Sequence, residues 1–154
     1  MNRLRIAIGA DHGGFELKAK LVRALQTNGF EVADLGTHSN NPCDYPVIGE
    51  KVALAVAKKS FDRGILLCKS GIGIAIAANK VPGIRAAVCS DLFDAKRSRE
   101  HNNANVLVMG AEKLPAAKAV KIMTTWLATA FEVGGRHERR VKQIGAIERR
   151  HVLS

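Results

Sequence analysis

Short apolar runs alternate with longer amphipathic segments along this chain, and that alternation restricts its fold more than any other feature of the sequence. Between the runs, apolar residues recur every three or four positions, which is the spacing of a helix with one buried face. Strands that alternate with helices form parallel sheets covered by helices on both faces. The sequence therefore predicts an α/β protein, a three-layer α/β/α sandwich of Rossmann-like type with a five-stranded parallel sheet. The predicted strands cover residues 3–9, 31–35, 63–68, 84–89 and 105–109.

The predicted helices begin and end at residues that favour helix termini. The first covers about residues 14–28, with Leu17, Leu21 and Leu25 on one face, and Gly29 fits its C-terminal stop. Proline is favoured in the first turn of a helix, where no backbone N–H donor is lost. The other helices are predicted from Pro46, over residues 74–80, over 91–100, from Pro115 and over about 137–149.

The chain is expected to form a single domain over residues 1–154, because this length suits one domain and no linker, repeat or change of composition divides it. The last predicted helix, about residues 137–149, has a narrow apolar face formed by Val141, Ile144 and Ile147, and is otherwise heavily charged. Such a helix fits packing on a partner subunit. A solvent-exposed terminal helix explains the same pattern equally well.

The charge balance indicates a phosphorylated ligand. The chain has 24 Lys and Arg against 14 Asp and Glu, a net charge of +10, and such an excess attracts phosphate groups. A nucleic-acid partner is not favoured, because the few aromatic residues do not alternate with basic ones as a base-stacking surface requires. A small phosphorylated ligand explains the arginines equally well.

The sequence also predicts where the protein resides. Its apolar runs are too short to cross a bilayer, and the apolar stretch near the start is too short for a signal peptide. Three widely spaced cysteines form neither a disulfide framework nor a metal-binding pattern. We therefore expect a cytoplasmic protein with reduced thiols and no membrane association.

The segment Ile-Leu-Leu-Cys-Lys-Ser-Gly-Ile-Gly, residues 65–73, carries the main chemical signal. Ligands of parallel sheets bind at the carboxyl ends of strands, where helix N-termini point their free N–H groups. Cys68 ends the third predicted strand beside such a helix and beside Lys69, and each of these neighbours favours a thiolate. The alternative is a small buried thiol, which is what most free cysteines are.

Other polar residues are predicted to reach the same edge of the sheet. Asp11 and His12 follow the first strand directly, and Tyr45 lies in a loop that could extend to that edge. Each has an ordinary alternative: Asp11 a helix-capping carboxylate, His12 a polar loop residue, Tyr45 a packing residue. The glycine-rich turns at 9–14 and 71–73 lack the lysine or the third glycine of nucleotide-binding motifs.

A second group of candidates lies later in the chain. His101 occurs in Glu-His-Asn-Asn-Ala-Asn, at the predicted end of a helix, where an imidazole also suits the negative end of the helix dipole. Arg136 and Arg140 are four residues apart, so on a helix they share one face and could bind one phosphate. The alternative for these arginines is a solvated helix face.

Seven short motifs occur in the order and spacing of a known family and span nearly the whole chain. In that order they closely resemble type B ribose-5-phosphate isomerase, within the wider group of sugar-phosphate isomerases that includes galactose-6-phosphate and allose-6-phosphate isomerases. The motifs are Gly-Ala-Asp-His at 9–12, Asp-Tyr-Pro at 44–46, Cys-x-Ser-Gly-Ile-Gly at 68–73, Ile-Ala-Ala-Asn-Lys at 76–80, Gly-Ile-Arg-Ala-Ala at 83–87, His-Asn at 101–102 and Gly-Gly-Arg-His-Glu-Arg-Arg at 134–140.

The resemblance implies an isomerase that interconverts ribose 5-phosphate and ribulose 5-phosphate through a cis-enediolate. It implies a small phosphorylated sugar as substrate, no metal or other cofactor, and a homodimer or dimer of dimers with active sites shared between subunits. In the family, the residue matching Cys68 moves a proton between C2 and C1 of the open-chain sugar. Some members use a glutamate instead, at the position that is Ile74 here.

The resemblance also assigns roles to the other candidates. His101 of the neighbouring subunit would open the furanose ring with help from Asp11, and Asn102 would hold a sugar or enediolate oxygen. Phosphate would bind to His12, Arg136 and Arg140, with Tyr45 lining the pocket. The enediolate oxygens would be held by Ser70 and by the backbone N–H groups of Lys69, Gly71, Ile72 and Gly73.

Two positions depart from the family pattern. Position 69 is commonly glycine but is Lys69 here, and an arginine that often follows the fifth strand is replaced by Glu112, with Lys113 beside it. These departures leave open an isomerase of another aldose phosphate, of the allose, galactose or erythrose type. A separate alternative, suggested by the basic charge, is a non-catalytic protein of this fold that binds phosphate or RNA.

Overall fold

The computed structural model describes residues 3–152 and contains the predicted alternation of strands and helices. Each predicted strand is present, and each is followed by at least one helix. The elements are β1 (Arg5–Ala10), α1 (Phe15–Thr27), β2 (Glu31–Asp34), α2 (Tyr45–Ala57), β3 (Arg63–Cys68), α3 (Ile72–Ala78), β4 (Ala86–Val88), α4 (Leu92–Glu100), β5 (Val106–Gly110), α5 (Ala116–Ala128) and α6 (Arg136–His151).

The five strands form one parallel sheet in the order β2-β1-β3-β5-β4. Cys68 at the end of β3 is in register with Gly110 at the end of β5. One hydrophobic cluster packs α1, α4 and α5 on one face, and a second packs α2 and α3 on the other. The prediction of a three-layer α/β/α sandwich with a five-stranded parallel sheet is therefore confirmed.

Helix α1 shows how the sequence pattern places its buried face. Leu17, Leu21 and Leu25 are buried as their spacing predicts, but Lys18 is buried beside them, with only 1% of its side chain exposed. Its ammonium group contacts the Asp34 carboxylate at 2.6 Å and also donates to the Thr37 carbonyl oxygen. The end of β2 and the loop after it are thus joined to α1 by an ion pair whose lysine is buried and whose carboxylate is partly exposed.

Strand β4 is shorter than predicted because it forms the edge of the sheet and pairs only with β5. Asparagine side chains form hydrogen bonds where the predicted strand would have begun. The Asn105 carboxamide oxygen accepts from the Arg85 N–H at 2.8 Å, and the Asn79 oxygen accepts from the Ala86 N–H at 2.8 Å. These side chains accept from the backbone N–H groups at the start of the strand, while the Arg85 carbonyl oxygen still accepts from the Asn105 and Val106 N–H groups at 3.1 and 3.4 Å.

Helix α6 differs from the others because it has no buried residue. Ile144 and Ile147 on its apolar face are 45% and 52% exposed. The Glu148 carboxylate accepts from the Gly83 N–H at 3.0 Å, which connects α6 to the segment before β4. Within residues 3–152, no helix has both the length and the apolar character needed to cross a bilayer.

Candidate active site

Cys68 lies at the carboxyl end of β3, at the start of the turn that leads into α3. Its side chain is 5% exposed, and its sulfur accepts a hydrogen bond from the Gly71 N–H at 3.2 Å. The next N–H, of Ile72, donates to the Ser70 hydroxyl at 3.2 Å. The turn predicted at this position is therefore present, and it directs one backbone N–H at the sulfur.

Two glycines make this turn possible. Gly71 has a φ of +80°, and a Cβ there would lie 3.1 Å from the Met109 carbonyl carbon and the Gly110 nitrogen. Only glycine adopts that backbone conformation without strain. A Cβ on Gly73 would lie 2.5 Å from the Tyr45 ring. Tyr45 therefore packs directly on the turn, and the prediction that it reaches this edge is confirmed.

Asp11 and His12 lie at the same edge. Asp11 is 6% exposed, and its N–H donates to the Leu67 carbonyl oxygen at 3.2 Å, one residue before Cys68. Its carboxylate accepts from the Gly13 N–H at 2.9 Å and makes no capping bond to α1, so the capping alternative is wrong. His12 Nδ1 accepts from the Cys43 N–H at 3.2 Å. In a neutral imidazole with this bond, Nε2 carries the proton and can donate to an anion.

The two departures from the family pattern lie together. The Glu112 N–H donates to the Lys69 carbonyl oxygen at 3.0 Å. Both residues line a cavity of about 450 Å³ next to Ser70, with Lys113 also in its wall. Lys69 passes over Gly13, where its Cγ lies 2.7 Å from the position of an added Cβ. The Lys69 side chain therefore runs past Gly13, and the residue forms part of the cavity wall.

His101 occupies a different place. It is the C-cap residue of α4, and its ring stacks on the ring of His137 with centroids 3.7 Å apart and planes 8° apart. The Glu132 carboxylate is 3.5 Å from His137 Nε2. Partial burial, followed by the positive charge that His101 would carry, lowers the pKa of His137. His101 thus lies where predicted, at a helix C-terminus.

Arg136 and Arg140 lie close to His101, because both belong to the start of α6, which also carries His137. Both arginines are exposed. Asn102 is exposed as well, and it lines a second cavity together with the apolar face of α6. The late candidates therefore form a group of their own around the stacked histidines.

The two groups of candidate residues lie at opposite ends of the sheet. Cys68 follows β3 at the end where Gly110 closes β5, whereas His101 precedes Val106, where β5 begins. A five-residue strand spans about 13 Å at 3.3 Å per step. The phosphate-binding candidates are divided in the same way, with His12 at the carboxyl edge and the arginines at the amino edge. A single chain does not bring the predicted site together.

Arg99 lies near the second group of candidates and was not predicted from the sequence. Arg99 is 4% exposed and donates to the carbonyl oxygens of Ala104 and Thr129, at 2.7 and 3.1 Å. Burial lowers the pKa of its guanidinium to about 10. It holds the loop that carries Glu132 against α4. Apolar periodicity could not have predicted the burial of Arg99, because most residues of α4 are polar.

The other two cysteines do not share the surroundings of Cys68. Cys89 is 1% exposed, and burial raises the pKa of its thiol to about 11. Cys43 is half-buried, so it is more accessible than Cys68. Both thiols are free.

Comparison with known proteins places this chain among sugar isomerases. Residues 6–144 match the family model described as Ribose/Galactose Isomerase. The chain is 49% identical to ribose-5-phosphate isomerase B of Escherichia coli over 146 residues, 95% of this chain and 97% of that one. It is 42% identical to D-erythrulose-4-phosphate isomerase of Pectobacterium atrosepticum over 147 residues, 94% of this chain and 95% of that one.

A solved structure agrees with these sequence matches. Ribose-5-phosphate isomerase B of Clostridium thermocellum superposes with a TM-score of 0.95 at 50% identity, covering 97% of this chain and all of that one. The family match covers most of the chain, and the relatives align over nearly their full length. The chain therefore belongs to the ribose/galactose isomerase family.

Proposed function

We propose that this protein interconverts ribose 5-phosphate and ribulose 5-phosphate, with Cys68 as the base. The observation that carries the proposal is the sulfur of Cys68 at the end of β3, which accepts the Gly71 N–H at 3.2 Å in a chain about half identical to ribose-5-phosphate isomerases B. An ordinary thiol has a pKa of about 8.5, so a proton-accepting thiolate needs such a donor.

The reaction then requires one base and one set of oxyanion donors. The Cys68 thiolate removes the proton on C2 of the open-chain aldose, and the electron pair moves to form the enediolate. The same proton returns to C1, while the hydroxyl proton moves from O2 to O1, which gives the ketose. Ser70 and the backbone N–H groups of residues 69–73 would stabilise the enediolate oxygens.

Ring opening and phosphate binding use residues of both groups. His101 transfers a proton from the C1 hydroxyl to the ring oxygen, with Asp11 assisting, and Asn102 holds a sugar oxygen. Arg136 and Arg140 bind the phosphate together with His12, and Tyr45 lines the pocket. Fixing the phosphate fixes the distance from C1 and C2 to the sulfur.

We propose further that the active site is completed by a second copy of this chain. The support is the distance between Cys68 and His101 along the sheet, together with the apolar face of α6, where Ile144 and Ile147 are half exposed. A two-fold dimer would bring the carboxyl edge of one chain to the amino edge of the other, twice. Each protomer then contributes to both sites.

A second substrate has support from the comparisons. One relative that is 42% identical is named D-erythrulose-4-phosphate isomerase, and Lys69 and Glu112 alter the cavity beside Ser70 in this chain. A tetrose phosphate is shorter by one carbon, so the same phosphate anchor places different carbons near the sulfur. The alternative keeps the chemistry and changes the sugar.

Turnover of a substrate panel separates these possibilities. Ribose 5-phosphate, allose 6-phosphate, galactose 6-phosphate and erythrulose 4-phosphate are each given to the purified protein, and kcat/KM is compared. We expect the highest value with ribose 5-phosphate. A higher value with another sugar would change the substrate assignment. Folded protein that turns over none of them would support the non-catalytic alternative.

A further inference from the structure

Three side chains with metal-ligating atoms meet beside the C-terminal end of α4. The ligand atoms of His101, Glu132 and His137 all lie within 4.8 Å of one another. His137 Nε2 is 3.5 Å from a carboxylate oxygen of Glu132. In a tetrahedral zinc site with bonds of about 2.0–2.2 Å, neighbouring ligand atoms lie roughly 3.3–3.5 Å apart. One pair of the cluster already has nearly that spacing.

The backbone around the cluster is held by contacts that need no ion. The Glu132 N–H donates to the Glu100 carbonyl oxygen at 3.1 Å, next to His101. The Arg99 Nε donates to the Thr129 carbonyl oxygen at 3.1 Å, which fixes the start of the same loop. The Glu138 carboxylate accepts from the Gly134 N–H at 3.0 Å, just before α6. The three side chains therefore come from segments that are already joined.

We propose that His101, Glu132 and His137 bind a divalent transition-metal ion of the zinc class. Two imidazoles and one carboxylate suit zinc and its neighbours, whereas calcium and magnesium prefer oxygen ligands throughout. Three protein ligands leave a fourth position for water. Arg136 and Arg140 add positive charge nearby and weaken cation binding, so the ion would be exchangeable.

A bound ion would act on His101 directly. The nitrogen lone pairs of an imidazole lie in the plane of its ring. Because the rings of His101 and His137 are stacked, these lone pairs point along parallel planes, and the rings must tilt for both to bind one ion. The nitrogen that binds the ion can no longer exchange a proton with a sugar. The metal would therefore be a reversible inhibitor of ring opening. This consequence rests on the proposed function, whereas metal binding itself does not.

Calorimetric titration with zinc chloride tests the site, using tag-free full-length protein in a phosphate-free buffer. We expect saturable binding of one zinc ion per chain. Glu132→Gln and His137→Gln should each weaken binding about tenfold or more. His151→Gln is the matched control, because His151 lies on the same helix about 21 Å from His137. Circular dichroism of each variant verifies that it is folded.

The catalytic thiol provides the second control. Zinc also binds thiolates, so Cys68→Ala must keep the full affinity for zinc. Glu132→Gln should retain isomerase activity without zinc and resist inhibition by it. Absence of saturable binding would overturn the proposal, and so would unchanged binding in Glu132→Gln and His137→Gln or loss of binding only in Cys68→Ala. The binding measurements can be interpreted even if the protein isomerises none of the sugars.

Discussion

The carboxyl edge of the sheet and its amino edge carry different halves of the proposed site, and they are built differently. At the carboxyl edge, Cys68 and Asp11 are nearly buried and held by backbone hydrogen bonds at strand ends. At the amino edge, Arg136 and Arg140 are exposed on the first turns of α6, and His101 is half-buried. Proton transfer at carbon needs groups that are already fixed, whereas long, exposed arginine side chains can become ordered as they bind a phosphate.

The comparison shows why one chain forms two half-sites. A residue that follows a parallel strand lies at the carboxyl edge, and a residue that precedes one lies at the amino edge. Cys68 belongs to the first class and His101 to the second. The length of the sheet therefore separates them within one chain.

The largest effect is expected at the carboxyl edge. Cys68→Ala removes the proposed base and should lower kcat for ribose 5-phosphate by about 10³-fold, within the usual range for a general base. Cys43→Ala is the control, because Cys43 is more accessible but has no proposed role. The measurement is steady-state turnover of both variants. Substantial activity in Cys68→Ala would assign the base elsewhere.

Alkylation sharpens the same point. Cys68 is expected to react with iodoacetamide faster than the other two thiols, and sugar phosphate should protect it. Because Cys43 is the more exposed thiol, the experiment is best read in a Cys43→Ala background by mass spectrometry of the labelled peptides. Labelling of Cys68 that saturating substrate does not slow would contradict its place in the site.

The ion pair below the carboxyl edge should contribute to stability. Asp34→Ala leaves the Lys18 ammonium buried without a counter-charge, which should lower the free energy of unfolding by about 3 kcal/mol. Glu31→Ala on the same strand removes an exposed carboxylate and should have little effect. Urea denaturation measures both. Adding Lys18→Met to Asp34→Ala should recover part of the loss, and no recovery would contradict the ion-pair explanation.

At the amino edge, the effect should appear in substrate binding. Arg136→Ala and Arg140→Ala each remove a charged donor to phosphate and should raise KM by about 10-fold to 100-fold, with a smaller change in kcat. Arg139→Ala is the matched control on the same helix, where it lines a different cavity. An equal change in all three variants would indicate general electrostatic attraction only.

The smallest effect is expected on stability, from the Arg5–Asp62 ion pair at the amino edge, which has no proposed role in the site. Arg5 lowers the pKa of Asp62 by hydrogen bonding and by its charge. A lowered carboxylate pKa adds stability above the unfolded value near 3.8, which is lost as the pH falls through the folded value. The free energy of unfolding of Asp62→Asn should be lower by less than about 1 kcal/mol at neutral pH, because the pair is partly exposed.

The stability of this variant should also depend less on pH below about 4 than that of the unmodified protein. A steeper dependence in the variant, measured by urea denaturation at several pH values, would contradict this sign.

The sequence predicts the periodic parts of the molecule well. Strands and helix faces follow from repeated apolar positions, so Leu17, Leu21 and Leu25 were identified correctly. Contacts between distant positions follow no such pattern. Lys18 is buried only because Asp34 and Thr37 meet it, and His101 stacks on His137 across 36 positions of sequence.

Part of the site was also predictable, because it lies at strand ends that periodicity locates. Strand ends lie at a known edge of a parallel sheet, which placed Asp11, His12 and Cys68 together before the fold was known. The predicted start of β4 was wrong because asparagine side chains accept from the backbone N–H groups there. The cluster of His101, Glu132 and His137 depends on a loop path that the sequence does not reveal.

Each active site is proposed to combine Cys68 of one chain with His101 of another, and subunit complementation tests this arrangement. Cys68→Ala and His101→Asn chains with different tags are co-expressed, and the heterodimer is purified through both tags. Each variant alone should be nearly inactive. In a two-fold dimer with shared sites, the heterodimer has one intact site and should recover about half of the unmodified activity. A heterodimer as inactive as its parents would contradict the shared site.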